Sequence, residues 1–338
     1  MPLIAIIDWA ASPLDDSDAA VERALIGDAA RVKRFLCSSD ADFNDEICNA
    51  DAIIVWHNTP ITATGVNRLR NCKAIIRNGV GFDSVDIDAA RQLGILVCNV
   101  PDYGTEEVAD HAIALTLALC RQLFPLDAEA KRLGWVIRVQ PKLRRLRELV
   151  FAVIGLGRIG TATALRAKAL GFQVCFYDPY LPNGVDKSIG IARAKSLPEL
   201  LATADVLSVH CPLNDETHHM IGEEELALMK PSAFVVNTAR GAVMKKTAIL
   251  NALRNGQLAG AGLDVVQDEP PKTPDEAATP NLIVTCHAAF CSVESKHEMR
   301  ATSARIALAA VKGLPLENVV NGDASSLSLA PGLERMST

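Results

Sequence analysis

Three side chains that could hold a carboxylate and move a proton lie in the second half of the chain, each near the end of a predicted strand. Arg240 follows the apolar run Ala233–Val236, and His287 follows the run Leu282–Val284. Glu269 lies between them, in LDVVQDEP. An Arg can bind a carboxylate with two hydrogen bonds, and a His can give or take the proton of a hydroxyl/keto pair. A Glu beside that His would stabilise the imidazolium. Residue types and spacing alone leave open a structural histidine and an ordinary Glu-Pro loop.

A glycine-rich turn precedes these residues, in VFAVIGLGRIG. Four apolar residues, Phe151–Ile154, predict a buried strand, and Thr161–Gly171 predicts a helix. Between them, Gly155 permits a tight turn, Gly157 lets the backbone approach a pyrophosphate, and Gly160 lets the helix pack close to the strand. The N-terminus of the helix would face the phosphate charge. The turn therefore predicts a dinucleotide site. The rival phosphate loop requires Lys after the last glycine, where this chain has Thr161.

An acidic residue follows the next predicted strand, Gln173–Tyr177. Asp178 lies where a carboxylate would bind the 2′-hydroxyl of a ribose and would repel a 2′-phosphate. No Arg follows it closely. The sequence therefore predicts NAD rather than NADP as the cofactor.

Composition narrows the class of protein. The chain has 338 residues, 49% of them hydrophobic and 22% charged, which is enough for two domains with separate cores. The net charge is −6, and the short cluster Arg144, Arg145 and Arg147 is the densest basic group, which argues against a nucleic-acid surface. No metal site is expected, because His218 and His219 are adjacent, their side chains are predicted to diverge, and no spaced His pair accompanies them.

Localisation is predicted from the cysteines and the hydrophobic runs. Nine cysteines without a CxxC pair favour reduced thiols in a cytoplasmic setting. The start, MPLIAIIDWA, does not resemble a signal peptide, and the longest apolar run, Ala112–Cys120, is too short to span a membrane. We expect that run to be a buried helix.

Short apolar runs alternate with helical patterns along the chain, which predicts α/β domains with parallel sheets. Thr105 is predicted to cap a long helix, Glu106–Arg121, and a final long helix covers about Val293–Lys312. We expect one domain from residues 1–101 plus 294–338 and a second, inserted domain from 102–293. Ligands bind at the carboxyl ends of parallel strands, so substrate is expected in a cleft between the two domains. His57, after a predicted strand, is a further candidate to line that cleft.

Six motifs in combination resemble those of the D-isomer-specific 2-hydroxyacid dehydrogenases: RNGVGFDSVDI, VIGLGRIG, HCPLNDET, VNTARG, LDVVQDEP and TCHAAF. The resemblance extends from about Ala52 to Asn321, and within the family the amino-acid sequence is most similar to that of the C-terminal-binding-protein branch. It implies two Rossmann- or flavodoxin-like doubly wound parallel-sheet domains, NAD as cofactor and no metal.

The resemblance also implies roles by position. Arg240 matches the substrate-orienting arginine, Glu269 the acidic partner and His287 the acid/base residue. The positions that match substrate contacts are Arg77, with the backbone of Gly79, Val80 and Gly81, around the substrate carboxylate, and Phe290 in the pocket wall. The positions that match cofactor contacts are Gly155, Leu156, Gly157, Arg158, Ile159 and Gly160 at the pyrophosphate, Asp178 at the ribose, Cys211, Pro212, Asn214 and Thr217 at the adenosine side, Thr238 and Ala239 at the nicotinamide ribose, and Asp264 at the carboxamide.

Two positions depart from the family pattern. Cys286 stands where the family usually has Pro before the acid/base histidine, and Phe290 stands where the corepressor branch commonly has Trp. Phe keeps an apolar wall but lacks the indole donor, which affects the substrate size that the pocket would prefer. Neither change removes a catalytic group.

Three functions are compatible with this resemblance. The first is an NAD-dependent oxidoreductase that interconverts a small 2-keto acid and its D-2-hydroxy acid. The second is an NAD(H)-sensing interaction protein of the corepressor type with marginal catalysis, and the third is a D-3-phosphoglycerate dehydrogenase. The complete Arg, Glu and His set favours an enzyme over the interaction protein. The predicted cleft segments carry no extra basic cluster for a phosphate, which favours a small acid over 3-phosphoglycerate. A homodimer is also implied, with the helix from Glu106 onward and the segment to Leu149 as its interface.

Overall fold

The structure is a computed structural model that describes residues 1–9, 19–56, 59–132, 135 and 143–322. His57 and the last residues of the first predicted domain, 323–338, lie outside the described residues. The chain forms two compact units: unit one is Met1–Tyr103 with Ser292–Thr338, and unit two is Gly104–Cys291.

Unit one is built on a five-stranded parallel sheet with the order β2-β1-β3-β4-β5. Three of its strands, LIAIIDW, AIIV and AIIR, are mostly apolar and buried on both faces, as expected for a parallel sheet covered by helices, whereas the edge strand RVKRFLC keeps exposed side chains. The strands are β1 (Leu3–Trp9), β2 (Arg31–Cys37), β3 (Ala52–Val55), β4 (Ala74–Arg77) and β5 (Leu96–Cys98). The helices are α1 (Ala20–Ile26), α2 (Asp45–Cys48), α3 (Ala63–Val66), α4 (Ile87–Gln92) and α13 (Val293–Lys312).

The long helix α13 closes unit one. It begins at a capping box, in which the Ser292 hydroxyl accepts a hydrogen bond from the Ser295 N–H, and it ends at Gly313, whose φ of 68° is the left-handed conformation of a C-cap. Small side chains on its buried face, Ser303 among them, allow it to pack on β3 and β4. The helix thus belongs to the core of this unit.

Unit two is built on a seven-stranded parallel sheet with the order β12-β11-β10-β9-β6-β7-β8. Its strands are β6 (Val150–Ile154), β7 (Gln173–Tyr177), β8 (Ala192–Arg193), β9 (Val206–Val209), β10 (Phe234–Asn237), β11 (Gly260–Leu263) and β12 (Leu282–Val284). Its helices are α5 (Thr105–Cys120), α6 (Leu123–Lys131), α7 (Arg158–Ala169), α8 (Val185–Ile189), α9 (Leu197–Thr203), α10 (Glu223–Ala227), α11 (Lys246–Arg254) and α12 (Pro274–Ala277). The prediction of two α/β domains with parallel sheets is confirmed.

The order of this second sheet reverses between β6 and β9. Chain connections leave these neighbouring strands in opposite directions, so a crevice opens at their carboxyl ends, where ligands of doubly wound sheets bind. The glycine-rich turn follows β6, and the loop that begins at His210 follows β9. Both therefore meet at this point.

Two predicted helix starts differ from the structure. The helix predicted to start at Thr161 begins at Arg158, because the chain has completed its turn at Gly155, whose φ is 81°, and Gly157 is already the N-cap. Thr105 is not the N-cap of α5 but its first residue, since the Val108 N–H already bonds to the Gly104 carbonyl.

The apolar run Ala112–Cys120 is buried within unit two, as predicted for a core helix. Helix α5 packs on β10 and β11, where two strand glycines make room for its leucines. A Cβ on Gly262 would lie 3.1 Å from the Cβ of Leu115, and one on Gly260 would lie 3.1 Å from a methyl group of Leu119. Of the helices that the structure describes, none combines the length and the apolar character needed to cross a membrane.

Candidate active site

The glycine-rich turn has the geometry that its spacing predicts. A Cβ on Gly155 would lie 2.8 Å from the main-chain N of Cys211, and one on Gly160 would lie 2.0 Å from the carbonyl oxygen of Gly155. Side chains are therefore excluded at both positions. Gly157 is the N-cap of the twelve-residue α7. A Cβ on Gly157 would meet no described atom of another residue, beyond its chain neighbours, within 4 Å. An anionic group can approach the N–H groups at this helix end, so the residues present fit a dinucleotide pyrophosphate.

Asp178 is held beside that turn. Its Oδ2 accepts a hydrogen bond from the Leu156 N–H at 2.9 Å, and its Oδ1 accepts one from the Tyr180 N–H at 3.0 Å. The guanidinium of Arg193, on β8, donates to the carbonyl oxygens of Asp178 and Leu181. The backbone after β7 thus binds this arginine, while the carboxylate of Asp178 stays at the glycine-rich turn.

The loop after β9 is shaped by two residues that the resemblance assigns to the cofactor. Asn214 accepts hydrogen bonds from the N–H groups of Glu216 and Thr217 at 3.1 and 3.0 Å. The Thr217 hydroxyl donates to the carbonyl oxygen of Pro212 at 2.7 Å. These side chains fix the loop that starts at Cys211, and their contacts with a cofactor stay a prediction.

His210, which was not predicted as a site residue, packs against the glycine-rich turn. Burial lowers the pKa of His210 to about 4, so its ring is neutral at physiological pH. Its Nε2 lies 2.8 Å from the Ser208 hydroxyl, and its Cβ would lie 3.4 Å from a Cβ on Gly160. The signal available in the sequence was its position directly after a buried strand, beside the predicted cofactor loop.

Thr238, Ala239 and Arg240 follow β10 in one tight turn. Asn237, the last residue of the strand, builds this turn: its Oδ1 accepts from the Ala239 N–H and its Nδ2 donates to the Arg240 carbonyl, both at 2.9 Å. Arg240 Nη1 donates to the Ala239 carbonyl at 2.8 Å. The buried hydroxyl of Thr238 has no partner among the described residues, which suits a position that a bound cofactor would contact.

His287 and Glu269 are brought together, although 18 residues separate them in the sequence. His287 Nδ1 lies 2.8 Å from Glu269 Oε2, and their side chains are 23% and 32% exposed. The other carboxylate oxygen, Oε1, accepts from the Val266 N–H at 3.2 Å. His287 has a φ of 53°, and its N–H donates to the Asp264 carbonyl at 2.9 Å. The pair is therefore fixed by backbone contacts on both sides.

Asp264 organises the loop that carries His287. Its buried carboxylate accepts from the Thr285 hydroxyl at 2.5 Å and from the N–H groups of Ala288 and Ala289 at 3.0 and 2.9 Å. His111 Nε2, on α5, lies 3.0 Å from the same Thr285 hydroxyl. The sequence assigned Asp264 to the nicotinamide carboxamide, which stays a prediction, and the contact between His111 and Thr285 was not predicted.

The two departures from the family pattern flank this loop. The ring of Phe290 lies edge-on to the imidazole of His287, with centroids 6.5 Å apart. Cys286 and Cys291 are exposed, and all nine cysteines are free. An aromatic ring thus lies beside the histidine, and its place in the wall of a substrate pocket stays a prediction.

The remaining predicted substrate residues lie in unit one. Arg77 ends β4, is 6% exposed, and donates through Nη1 to the Asn78 carbonyl at 2.7 Å. Gly79 has a φ of 143°, and a Cβ there would lie 1.8 Å from Nη1 of Arg77. Asn99 Nδ2 donates to the Val80 carbonyl at 2.6 Å and steadies the loop before Gly81.

The prediction that the side chains of His218 and His219 diverge was wrong. The rings of His218 and His219 do not diverge but stack, with centroids 3.9 Å apart, because His219 has a positive φ of 54° that turns its side chain back. Within the described ranges, no group of three or more His, Cys, Asp or Glu side chains is placed to hold a metal ion.

Comparison with known proteins agrees with this geometry. The sequence model described as "D-isomer specific 2-hydroxyacid dehydrogenase, NAD binding domain" matches residues 113–289. The chain is 37% identical over 277 residues to D-3-phosphoglycerate dehydrogenase of Methanocaldococcus jannaschii, covering 82% of this chain and 53% of that protein. It is 31% identical over 322 residues to C-terminal-binding protein 1 of Caenorhabditis elegans, covering 92% of this chain and 43% of that protein. The chain thus spans about half of the length of these curated relatives.

A solved structure is similar over nearly the whole chain. D-lactate dehydrogenase from Aquifex aeolicus, complexed with NAD and lactic acid, superposes with a TM-score of 0.84 at 30% identity, covering 95% of this chain and 100% of that one. The family resemblance predicted from the six motifs is confirmed. The chain belongs to the D-isomer-specific 2-hydroxyacid dehydrogenase family and carries its NAD-binding domain.

Proposed function

We propose that this protein is an NAD-dependent oxidoreductase that interconverts a small 2-keto acid and its D-2-hydroxy acid. The observation that carries the proposal is the 2.8 Å contact between His287 Nδ1 and Glu269 Oε2. A histidine paired with a carboxylate is suited to give and take one proton at a hydroxyl/keto oxygen. NAD, when bound, supplies or accepts the hydride.

His287 is the acid/base residue in this mechanism. Because Glu269 engages Nδ1, proton exchange with the substrate oxygen is assigned to Nε2. In the reducing direction His287 protonates the carbonyl oxygen, and in the oxidising direction it removes the hydroxyl proton. Glu269 stabilises the imidazolium and keeps the ring oriented.

The substrate carboxylate is assigned to Arg240 and to the loop that begins at Arg77. A guanidinium matches the two oxygens of a carboxylate, and main-chain N–H groups from Gly79 through Val80 to Gly81 would add donors. Phe290, beside His287, would form the apolar wall of the pocket. In this proposal residues 1–101 and 294–338 bind substrate, and residues 102–293 bind NAD.

The cofactor residues would act through fixed donors and one carboxylate. The turn Gly155–Gly160 would bind the pyrophosphate through the N–H groups that follow Leu156, and Asp178 would bind the ribose hydroxyls. The loop residues Cys211, Pro212, Asn214 and Thr217 would lie at the adenosine side. Thr238, Ala239 and Asp264 would lie at the nicotinamide end. The buried Thr238 hydroxyl, which has no hydrogen-bond partner in the described part of the chain, supports this assignment.

Two other functions follow from the relatives. The 37% identity to an archaeal D-3-phosphoglycerate dehydrogenase favours a phosphorylated 2-hydroxy acid as the alternative substrate. The 31% identity to a C-terminal-binding protein favours an NAD(H)-sensing interaction protein with marginal catalysis. The complete Arg240, Glu269 and His287 set favours a dehydrogenase over the NAD(H)-sensing interaction protein. We rank the small acid above the phosphorylated one because the sequence segments predicted to bind substrate carry no extra basic cluster for a phosphate.

We also propose a homodimer in the cytoplasm. Helix α6 has no buried residue, and it exposes Leu123 by 54% and Phe124 by 57%, which suits an interface between two copies. This helix lies in the segment from Glu106 to Leu149 that the family resemblance assigns to the dimer. Nine free cysteines suit a reducing compartment. Light scattering during size-exclusion chromatography measures the mass of the assembly.

The experiment that tests the function is the oxidation of NADH by the purified protein with a panel of 2-keto acids. The panel includes glyoxylate, pyruvate, hydroxypyruvate, a branched keto acid and phosphohydroxypyruvate, and NADPH is run in parallel. Turnover of an unphosphorylated acid with NADH supports the proposal. Turnover of phosphohydroxypyruvate alone supports a D-3-phosphoglycerate dehydrogenase, and tight NADH binding without turnover supports the NAD(H)-sensing interaction protein.

A further inference from the structure

The segment that carries Glu269 connects β11 to α12 and contains neither a strand nor a helix before Pro274. Within it, the Val266 N–H donates to Glu269 Oε1 at 3.2 Å. The position of the carboxylate relative to His287 therefore depends on whatever anchors this segment to the rest of unit two.

One anchor is the close contact with the turn that carries Arg240. A Cβ on Gly241 would lie 2.0 Å from the carbonyl carbon of Val266 and 2.4 Å from the N of Gln267. A side chain at Gly241 would push the segment away. Because Gly241 has no side chain, its backbone can lie against the backbone of Val266 and Gln267.

The second anchor is Lys246, the first residue of α11. Its main-chain N–H donates to Gln267 Oε1 at 3.3 Å, on the near side of Glu269. Its Nζ lies 3.3 Å from Glu276 Oε1, on the far side. The side chains of this ion pair are only 18% and 22% exposed. One residue thus holds the segment on both sides of the carboxylate.

Glu276 connects Lys246 to two further residues of the segment, Lys272 and Thr273. Its Oε2 accepts from the Lys272 N–H at 3.0 Å, and its own N–H is capped by the Thr273 hydroxyl at 3.3 Å. The Lys272 N–H and the Lys246 ammonium lower the pKa of Glu276, so its carboxylate is charged at neutral pH. Pro270 and Pro271 restrict the chain between the two anchored ends.

A pocket that is partly open to solvent lies beneath the segment, next to α11 and the sheet. It is lined among others by Met244, Ile249, Leu263, Val266, Leu282 and Val284. Because the segment faces this pocket, van der Waals contacts hold it less firmly than a packed core would. The polar contacts of Lys246 take a correspondingly larger share.

We propose that Lys246 is a positioning residue, which fixes the segment that carries Glu269 and thereby the hydrogen bond between Glu269 and His287. This inference rests on the proposed dehydrogenase function, in which that pair moves the substrate proton. A loosened segment misplaces a catalytic group by a fraction of its hydrogen-bond length, which is enough to slow proton transfer.

Lys246→Met tests this, with Lys245→Met as the matched control. Lys245 is the preceding residue and has its own ion pair, 3.0 Å long, but its partner is Glu223 on α10, away from the segment. Hydrogen exchange of the cofactor-free protein is the first readout. We expect amides in 266–276 to exchange about fivefold faster in Lys246→Met, and those of the control to stay at the wild-type rate.

Turnover is the second readout. We expect Lys246→Met to lower kcat about ten- to a hundredfold at unchanged melting temperature and unchanged NADH affinity, and Lys246→Arg to restore it because the cation is kept. Wild-type exchange in 266–276 together with wild-type kcat would overturn the proposal, as would a fall in melting temperature that Lys246→Arg does not reverse. If the wild type turns over no keto acid, the dehydrogenase proposal fails, and the exchange readout still decides whether Lys246 holds the segment.

Discussion

Nδ1 of His287 and Oε2 of Glu269 lie 2.8 Å apart, and each residue is tied to the backbone near Asp264 and Val266 by a second hydrogen bond. The pair therefore has one defined geometry before substrate arrives. Such preorganisation is what general acid/base catalysis requires, because the proton must be delivered at hydrogen-bond distance.

Replacing His287 by Gln removes the proton donor and keeps a polar side chain. We expect kcat for keto-acid reduction to fall about 10²- to 10⁴-fold, since that is the usual contribution of a positioned acid. NADH affinity, measured by fluorescence titration, should stay unchanged. His297→Gln on the exposed face of α13 is the control. Turnover near the wild-type rate in His287→Gln would remove the histidine from the mechanism.

Thr285→Val and Thr285→Ser test the network that holds the His287 loop. Val takes away the hydroxyl that donates to Asp264 at 2.5 Å, whereas Ser keeps it. We expect Val to lower the free energy of unfolding by about 1–3 kcal/mol, because a buried carboxylate loses a donor. Ser should stay close to the wild type in urea denaturation. A loss in Thr285→Ser together with wild-type stability in Thr285→Val would show that the methyl group, and not the hydroxyl, stabilises the loop.

Asp178→Ser tests the choice between NAD and NADP. The carboxylate lies at the Leu156 N–H, where a ribose hydroxyl would be bound and a 2′-phosphate repelled. We expect NADH affinity to fall about tenfold or more and the NADPH to NADH preference to rise, as measured by calorimetric titration. Asp186→Ser, on α8, is the control. A preference ratio that does not change would contradict the role of Asp178.

Gly79→Ala tests the arrangement of Arg77 in unit one. The added Cβ would lie 1.8 Å from Nη1 of Arg77, so the guanidinium must move. We expect KM for the keto acid to rise about tenfold or more with NADH affinity unchanged, because a bound carboxylate loses a charged donor. Gly94→Ala is the matched control, since Gly94 has a φ of 70° but nothing within 4 Å of its Cβ position. Equal effects of both variants would attribute the change to backbone strain alone.

Asp205 gives a stability test that depends on pH. Burial alone would raise its pKa, but hydrogen bonds from the Val150 N–H, Lys230 and Arg144 outweigh burial and lower it. A lowered folded-state pKa adds stability above the unfolded pKa of about 4, and this stability is lost as the pH falls through the folded value.

We therefore expect Asp205→Asn to cost about 1–3 kcal/mol in urea denaturation at pH 7, and the difference from the wild type to shrink below about pH 4. Asp127→Asn, whose exposed ion pair with Lys131 spans one helical turn, should cost less than about 0.5 kcal/mol at both pH values. A constant difference for Asp205→Asn between pH 7 and pH 3 would contradict this account.

Much of the fold was readable because short apolar runs and their turns carry local signals. The runs at Gln173–Tyr177 and Leu282–Val284 are strands with the bounds that the sequence predicts. The start of α7 was misplaced, because glycine disfavours a helix and occupies both its N-cap, Gly157, and a position in its first turn, Gly160. Thr105 suited an N-cap, but the path of the chain after Tyr103 decides where α5 begins.

The site was readable to the extent that family motifs mark single positions. His287, Glu269 and Arg240 were identified in this way, and the structure brings the first two into contact. Lys246 was missed because its partners lie 21 and 30 residues away and no local pattern links them. The contact between His111 and Thr285 was missed for the same reason, because the two residues lie 174 positions apart.

The central claim is that His287 and Glu269 act as one acid/base unit, and a double-mutant cycle on kcat/KM for keto-acid reduction tests it most directly. The cycle compares Glu269→Gln, His287→Gln and the double variant. We predict that the double variant is no slower than His287→Gln alone, because Glu269 acts only through the imidazole. Losses that multiply in the double variant would show that the two side chains act independently and would contradict the account.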